Sequence, residues 1–318
     1  MNPTGTVSRI APTPSGYLHI GNAANFLLTW LAVRLRGGRL LLRIDDLDRE
    51  RCRPEYVDDV FTALEWLGIE PDSGPSGPAD FYAHYSQSER YDEYRNAMER
   101  MPQHGAHLFA CDCSRKRLAG ERLYPGTCRD AGRELVPMQT AMRIAVPDNT
   151  VITVGREDVE LDRTMGDFVL WRRDDIPAYQ LVSVLEDKRS GVNLVVRGRD
   201  LFESSAAQLF LAPFLDAETF ANATFVHHDL IRRPDGGKFS KSDRDLALFR
   251  MRRGMGEHRA RLAVFEAALG LLGLPPKRLE TPQELLEYCR DTLERPMLYN
   301  ALFQSIVETG APDPIPRR

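Results

Sequence analysis

The chain has 318 residues, 42% of them hydrophobic, enough to bury one large core or two modest ones. A formal net charge of −4 excludes a global attraction to nucleic acid, so RNA contact has to come from local patches such as Arg250-Met-Arg-Arg253 with Arg259 and Arg261. No apolar run reaches the roughly eighteen to twenty residues of a spanning helix, and Met1-Asn-Pro-Thr-Gly-Thr lacks a leader pattern, so no membrane association and a cytoplasmic location are expected.

Val7 to Ala11 reads as a first buried strand, stopped by Pro12, Pro14 and Gly16. Ala23 to Leu35 reads as an apolar helix that Gly37-Gly38 ends. Arg39 to Asp46 is short, apolar and flanked by glycines, which predicts a second parallel strand with Asp45, Asp46 and Asp48 at its carboxyl end, where open α/β sheets bind ligands. Pro54 to Leu67 follows as a helix with proline in its first turn and Gly68 at its end, then Pro71 to Asp80 as a loop. Ser86 to Met101 reads as a further helix, opened by a capping box at Ser86-Gln-Ser-Glu89. This alternation predicts an α/β, doubly wound parallel sheet. The pattern changes near Gly105, where His107 to Ala110, Ala141 to Val146, Val151 to Val154 and Asp167 to Trp171 read as strands of an inserted module. Ala178 to Leu185 and Leu194 to Arg197 fit the second half of the sheet, and Ser204 to Leu215 a helix crossing it. Glu257 to Leu272 and Pro282 to Arg290 read as C-terminal helices. The expected division is a first catalytic half over 1–104, an insertion over 105–166, a second half over 167–245 and a helical region over 246–318.

Three local patterns carry chemistry. His19-Ile-Gly-Asn22 sits at a helix start, whose unpaired N–H groups and positive dipole end suit a phosphate; Gly21 permits close approach and His19 adds an imidazole donor. About two hundred residues downstream, Gly236-Gly-Lys-Phe-Ser-Lys-Ser242 sets Lys238 and Lys241 three apart beside Ser240 and Ser242, a cationic loop suited to a polyphosphate. Of five cysteines, Cys111, Cys113 and Cys128 share one short window, which in a reducing compartment favours a metal over disulfides. Three thiolates close most of a tetrahedral zinc site; on chemistry alone the fourth ligand is open among His107, His104 and water. No water-activating acid accompanies them, so the zinc is expected to be structural.

Together, His19-Ile-Gly-Asn22 and Lys238-Phe-Ser-Lys-Ser242 resemble the HIGH and KMSKS signatures of class I aminoacyl-tRNA synthetases. Arg9-Ile-Ala-Pro-Thr-Pro-Ser-Gly16, Arg43-Ile-Asp-Asp46, Ala178-Tyr-Gln-Leu181 and Arg197-Gly-Arg-Asp-Leu201 resemble substrate-site segments of the glutamyl-type branch, so the likeness covers roughly residues 7 to 245. The resemblance implies a Rossmann-like parallel sheet split by a zinc-bearing insertion, with a small helical C-terminal region. It implies ATP, with Mg²⁺ as companion, at Gly21, Asn22, Ser240 and Ser242, His19 stabilising the α-phosphate, and Lys238 and Lys241 taking the leaving pyrophosphate. It also implies L-glutamate at Arg9, Ile10, Ala11, Pro12, Thr13, Asp45, Tyr179 and Arg197; a guanidinium fork suits a carboxylate. Two positions depart from the pattern: Asp45 stands where glutamate enzymes carry Glu, and Asn22 where the signature has its second histidine. The Cys-x-Cys then Tyr-x-x-x-Cys spacing is similar to that of glutamyl-Q tRNA(Asp) synthetases, where the tyrosine is a ligand, which implies Tyr124 as the fourth zinc ligand. That group also resembles a free-standing catalytic core, and the chain ends at Arg318 with no room for an anticodon-binding domain. The implied reaction is activation of glutamate and its transfer to queuosine in the anticodon loop of tRNA(Asp), by a monomer. A truncated paralogue with another amino acid or acceptor, a nucleotidyltransferase sharing the seat, and a non-catalytic RNA-binding module are the competing readings.

Overall fold

The computed structural model describes residues 5–48, 50–231 and 247–292. β1 (Val7–Ile10) and β2 (Arg39–Leu42) pair in parallel with Val7 opposite Arg39, and α1 (Ile20–Leu35) joins them. From Ala23 to Val33 every residue of α1 except Asn25 is buried, so it is a core helix rather than an amphipathic one. It begins three residues before the expected Ala23, because His19 caps it. α2 (Pro54–Leu67) starts with proline and ends at Gly68, as expected.

The expected helix from Ser86 is in part a 3₁₀ turn, Gln87–Arg90, before α3 (Tyr91–Arg100), and its capping box does not form. Ser86 Oγ instead donates to Asp46 Oδ2 at 2.6 Å and the Gln87 N–H donates to Asp46 Oδ1 at 2.8 Å, so the buried carboxylate holds the start of this turn.

Beyond Gly105, β3 (Leu108–Cys111), β4 (Ala141–Ile144) and β7 (Phe168–Trp171) form one antiparallel sheet, and β5 (Val151–Val154) and β6 (Glu157–Glu160) a hairpin. The strand β6 carries too few apolar residues to be read from sequence. Ile144, Val154 and Val159 share a hydrophobic cluster with Leu181, Val195 and Leu211, so the insertion is welded to the second half of the catalytic region.

That second half differs from expectation at one element. Ala178 to Leu185 is not a strand: α4 (Tyr179–Ser190) is a helix ended by Gly191 at φ 65°. Leu181, Val182, Ser183, Val184, Glu186 and Asp187 are all buried, so the helix shows no polar face and its period is hidden. β8 (Leu194–Gly198) and β9 (Thr224–His228) pair in parallel around α5 (Phe202–Leu211), which stops one turn short of Leu215 as Pro213 enters.

β1 lies beside β8. Asn193 staples their amino ends: the Val7 N–H donates to Asn193 Oδ1 at 2.8 Å and the Asn193 N–H to Val7 O at 3.0 Å. No ladder joins the two strands beyond it among the described residues, so their carboxyl ends border an opening between the halves. Of α6 (Leu248–Met255), α7 (Glu257–Leu271) and α8 (Pro282–Thr292), the last two pack on α1 and the first on α7, with Ala260, Val264, Phe265, Ala268 and Leu269 in the same cluster as α1. Among the described residues no helix is long and apolar enough to cross a membrane.

Candidate active site

The opening holds a cavity of about 380 Å³. One end of it is the start of α1, where the sequence predicts a phosphate. The Gly21 N–H donates to His19 Nδ1 at 3.1 Å, and Asn22 Oδ1 accepts from the His19 N–H at 3.0 Å, a reciprocal cap. Because Nδ1 accepts, the neutral ring carries its proton on Nε2, as a donor. Asn22 therefore uses its side-chain oxygen to hold His19, a role the sequence reading did not assign to it. The Leu18 N–H donates to Asp59 Oδ2 at 2.8 Å, tying the signature to α2.

The opposite end is built from arginines. Arg9, on β1, and Arg197, on β8, are both buried and both line the cavity. Arg197 Nη2 donates to Gln208 Oε1 at 3.0 Å, while its Nε and Nη1 have no partner among the described residues. Burial lowers Arg197 from the ordinary arginine value, and the Arg9 charge adds to the effect. Two enclosed guanidiniums, one of them with two unmet donors, make a receptor for an anion. Arg9 Nε donates to Asp187 Oδ1 at 3.0 Å, and Arg43 also pairs with Asp187. Burial pushes the Asp187 carboxyl up, but the two guanidiniums outweigh it and hold the group below its usual range. Asp45 accepts from Arg43 Nε at 2.7 Å and from Gln87 Nε2 at 2.8 Å.

Of the residues expected to hold substrate, Arg9, Ala11, Pro12, Thr13, Asp45, Tyr179 and Arg197 line this cavity together with His19, Gly21 and Asn22. Ile10 does not: strand alternation turns its side chain into the core, where it is fully buried. Lys238, Ser240, Lys241 and Ser242 lie outside the described residues. The chain on either side of them reaches the site, since Ile231 lines the cavity and Ala247 bridges to His19. Sequence reading missed Asp187, Gln87, Gln208 and His228, which also lines the cavity and meets Asn25 Oδ1 at 3.0 Å. Only Asp187 left a signal, an acidic pair Glu186-Asp187 at the end of an apolar run.

The three cysteines converge, with sulfurs all within 4.8 Å of one another. Tyr124 Oη lies 3.4 Å from Cys111 Sγ and 3.8 Å from Cys113 Sγ, and Cys113 Sγ lies 3.6 Å from Cys128 Sγ. Tetrahedral zinc with ordinary bond lengths puts sulfur and oxygen ligands roughly 3.5 to 3.8 Å apart, so this donor set fits the ion. His104 and His107 are exposed and outside the group. Burial and the neighbouring thiols push the Tyr124 hydroxyl up, so its phenolate form requires a cation beside it. Arg173 clamps the loop by donating to Asp112 O at 2.6 Å and Cys113 O at 3.1 Å.

The family described as tRNA synthetases class I (E and Q), catalytic domain, matches residues 6–303. A glutamyl-Q tRNA(Asp) synthetase of Pseudomonas putida (strain GB-1) is 38% identical over 298 residues, covering 91% of this chain and 93% of that one. One from Nitratidesulfovibrio vulgaris is 34% identical over 320 residues, 88% of this chain and 96% of the relative. Among solved structures, a glutamate-tRNA synthetase from Elizabethkingia anophelis shares the fold at TM-score 0.70 and 24% identity, over 89% of this chain, which spans 65% of that longer one. Identity of this order along most of both chains decides membership: the chain belongs to the class I (E and Q) tRNA synthetase catalytic-domain family, on its glutamyl-Q tRNA(Asp) synthetase branch.

Proposed function

We propose that the chain activates L-glutamate with ATP and then transfers the glutamyl group to queuosine in the anticodon loop of tRNA(Asp). In the first step an oxygen of the glutamate α-carboxylate attacks the α-phosphorus of ATP. The α–β phosphoanhydride bond breaks, and pyrophosphate leaves with its electron pair. In the second, a hydroxyl of the acceptor base attacks the acyl carbon, losing its proton as AMP departs. Catalysis of the first step is positioning plus neutralisation of growing charge. His19 Nε2–H serves the α-phosphate oxygens, Gly21 and Asn22 the helix-start seat, and Lys238 and Lys241, with Ser240 and Ser242, the departing pyrophosphate and its Mg²⁺.

Arg9 and Arg197 take the side-chain carboxylate, Asp45 the ammonium, and Tyr179 with the Ala11-Pro12-Thr13 turn the remaining wall. The observation that carries this reading is the pair of buried guanidiniums, one with two unmet donors, in the same cavity as the capped imidazole. Cys111, Cys113, Tyr124 and Cys128 would hold a zinc ion, whose contribution is to cross-link the insertion. The division 1–104, 105–166, 167–245 and 246–318, a monomeric state and a cytoplasmic location complete the proposal.

The test is amino-acid-dependent exchange of pyrophosphate into ATP without RNA, followed by transfer to tRNA from wild-type and queuosine-deficient cells. Exchange is expected to be strongest with glutamate, and transfer to vanish on the deficient tRNA. A preference for glutamine or another amino acid, or equal transfer to both tRNAs, overturns the assignment.

A further inference from the structure

Asp187 does not line the cavity, and it is fully enclosed. It lies two turns along α4 from Tyr179. Arg9 Nε donates to both of its oxygens, at 3.0 and 3.2 Å. A guanidinium has five N–H donors in one plane, so committing Nε to Asp187 leaves the two terminal amino groups for the cavity that Arg9 lines. On its other side Asp187 takes Arg43 Nη1, and Arg43 continues to Asp45 with Nε at 2.7 Å and Nη2 at 3.3 Å. Four charges thus alternate in one enclosed row, Arg9, Asp187, Arg43 and Asp45, and its two ends both face the cavity.

The row is anchored to rigid backbone. The Arg43 N–H donates to Ile10 O at 2.9 Å, the Asp45 N–H to Pro12 O at 2.9 Å, and Asp187 stands on a buried helix. One end presents a cation and the other an anion, at a span that the two inner residues set. A molecule carrying an anion and a cation at the matching separation closes the row into a ring of alternating charge. An α-amino acid with an acidic side chain does this through its side-chain carboxylate and its ammonium.

We propose that Asp187 is a positioning residue that, through Arg9 and Arg43, fixes the carboxylate-reading fork and its span to Asp45, making the cavity selective for an acidic amino acid of one length. This rests on the proposed function. Removing the Asp187 charge leaves Arg9 and Arg43 facing each other near Arg197 with no counter-charge between them, and in a low-dielectric interior the fork turns away. The ATP end is spared, because the bonds that cap His19 share no atom with the row.

The experiment is pyrophosphate exchange by the full chain and by Asp187→Asn, varying glutamate and ATP separately, with glutamine and aspartate as competing substrates. For the variant, KM for glutamate is expected to rise about ten-fold or more while KM for ATP stays within about two-fold. The preference for glutamate over glutamine and aspartate falls with it. In an Arg9→Lys background, whose single ammonium has no fork to orient, Asp187→Asn should cost less than about two-fold more. If Asp187→Asn loses its cooperative melting transition, the double variant Asp187→Asn/Arg43→Met removes the inner pair together and carries the same readout. Unchanged glutamate KM, a parallel rise in both KM values, or additive effects with Arg9→Lys overturns the inference. A wild-type protein that prefers a different amino acid overturns the proposed function instead.

Discussion

At Gly21 a methyl group would sit 2.9 Å from His19 Cε1 and 3.0 Å from Nδ1, so only glycine lets the imidazole fold over the first turn it caps. Gly21→Ala is therefore expected to displace the ring and lower kcat for adenylate formation by roughly ten- to a hundred-fold, with little change in melting temperature. Exchange kinetics beside a thermal melt check both halves of that statement. Deeper in, His227 meets Ser205 Oγ at 2.6 Å. Burial, then the Arg197 and Arg199 charges, pushes its imidazole down to about 3. The folded chain keeps it neutral, whereas the unfolded chain protonates it below about 6.5, so the folded state loses stability as pH falls through that window and not above it. The loss is at most about 1.4 kcal/mol per pH unit. His227→Gln should flatten the fall in melting temperature between pH 6.5 and 4 relative to wild type, and parallel curves would refute it.

Among elements, the cysteine loop and α4 repay comparison. Cys111, Cys113, Tyr124 and Cys128 form their own small apolar cluster with Phe109 and Ala145, too little core to hold a loop without a cross-link. One zinc ion per chain is expected by elemental analysis, lost in Cys128→Ser and bound about ten- to a hundred-fold more weakly in Tyr124→Phe, with chelation lowering the melting temperature. Retention of full zinc by Cys128→Ser would contradict the site. The cysteines were legible because their ligand spacing is local. The helix α4 was not: burial on all sides erased its period, and its β-branched Val182 and Val184 imitate a strand. With α4 misread, Asp187 could not be placed against Arg9, a partner 178 residues away.

For the molecule as a whole, α7 contributes Ala260, Val264, Phe265 and Ala268 to the same core as Leu27, Leu31 and Val33 of α1. The C-terminal helices thus back the very helix whose first turn carries the His19 cap. A fragment ending at residue 246 should lose cooperative unfolding, and Phe265→Ala should cost about 3–5 kcal/mol in the intact chain, measured by denaturant titration. A fragment that still melts sharply would show the helices to be dispensable.

The sequence alone determined the helix that follows His19, the cluster of three cysteines and the alternating α/β plan, because each is written in spacings of a few residues that dictate backbone geometry. Only the tertiary structure decided which charges meet. Whether Arg9 and Arg43 both find Asp187 depends on how two halves of a sheet close around one cavity. No local pattern records a partner that burial selects from across the chain.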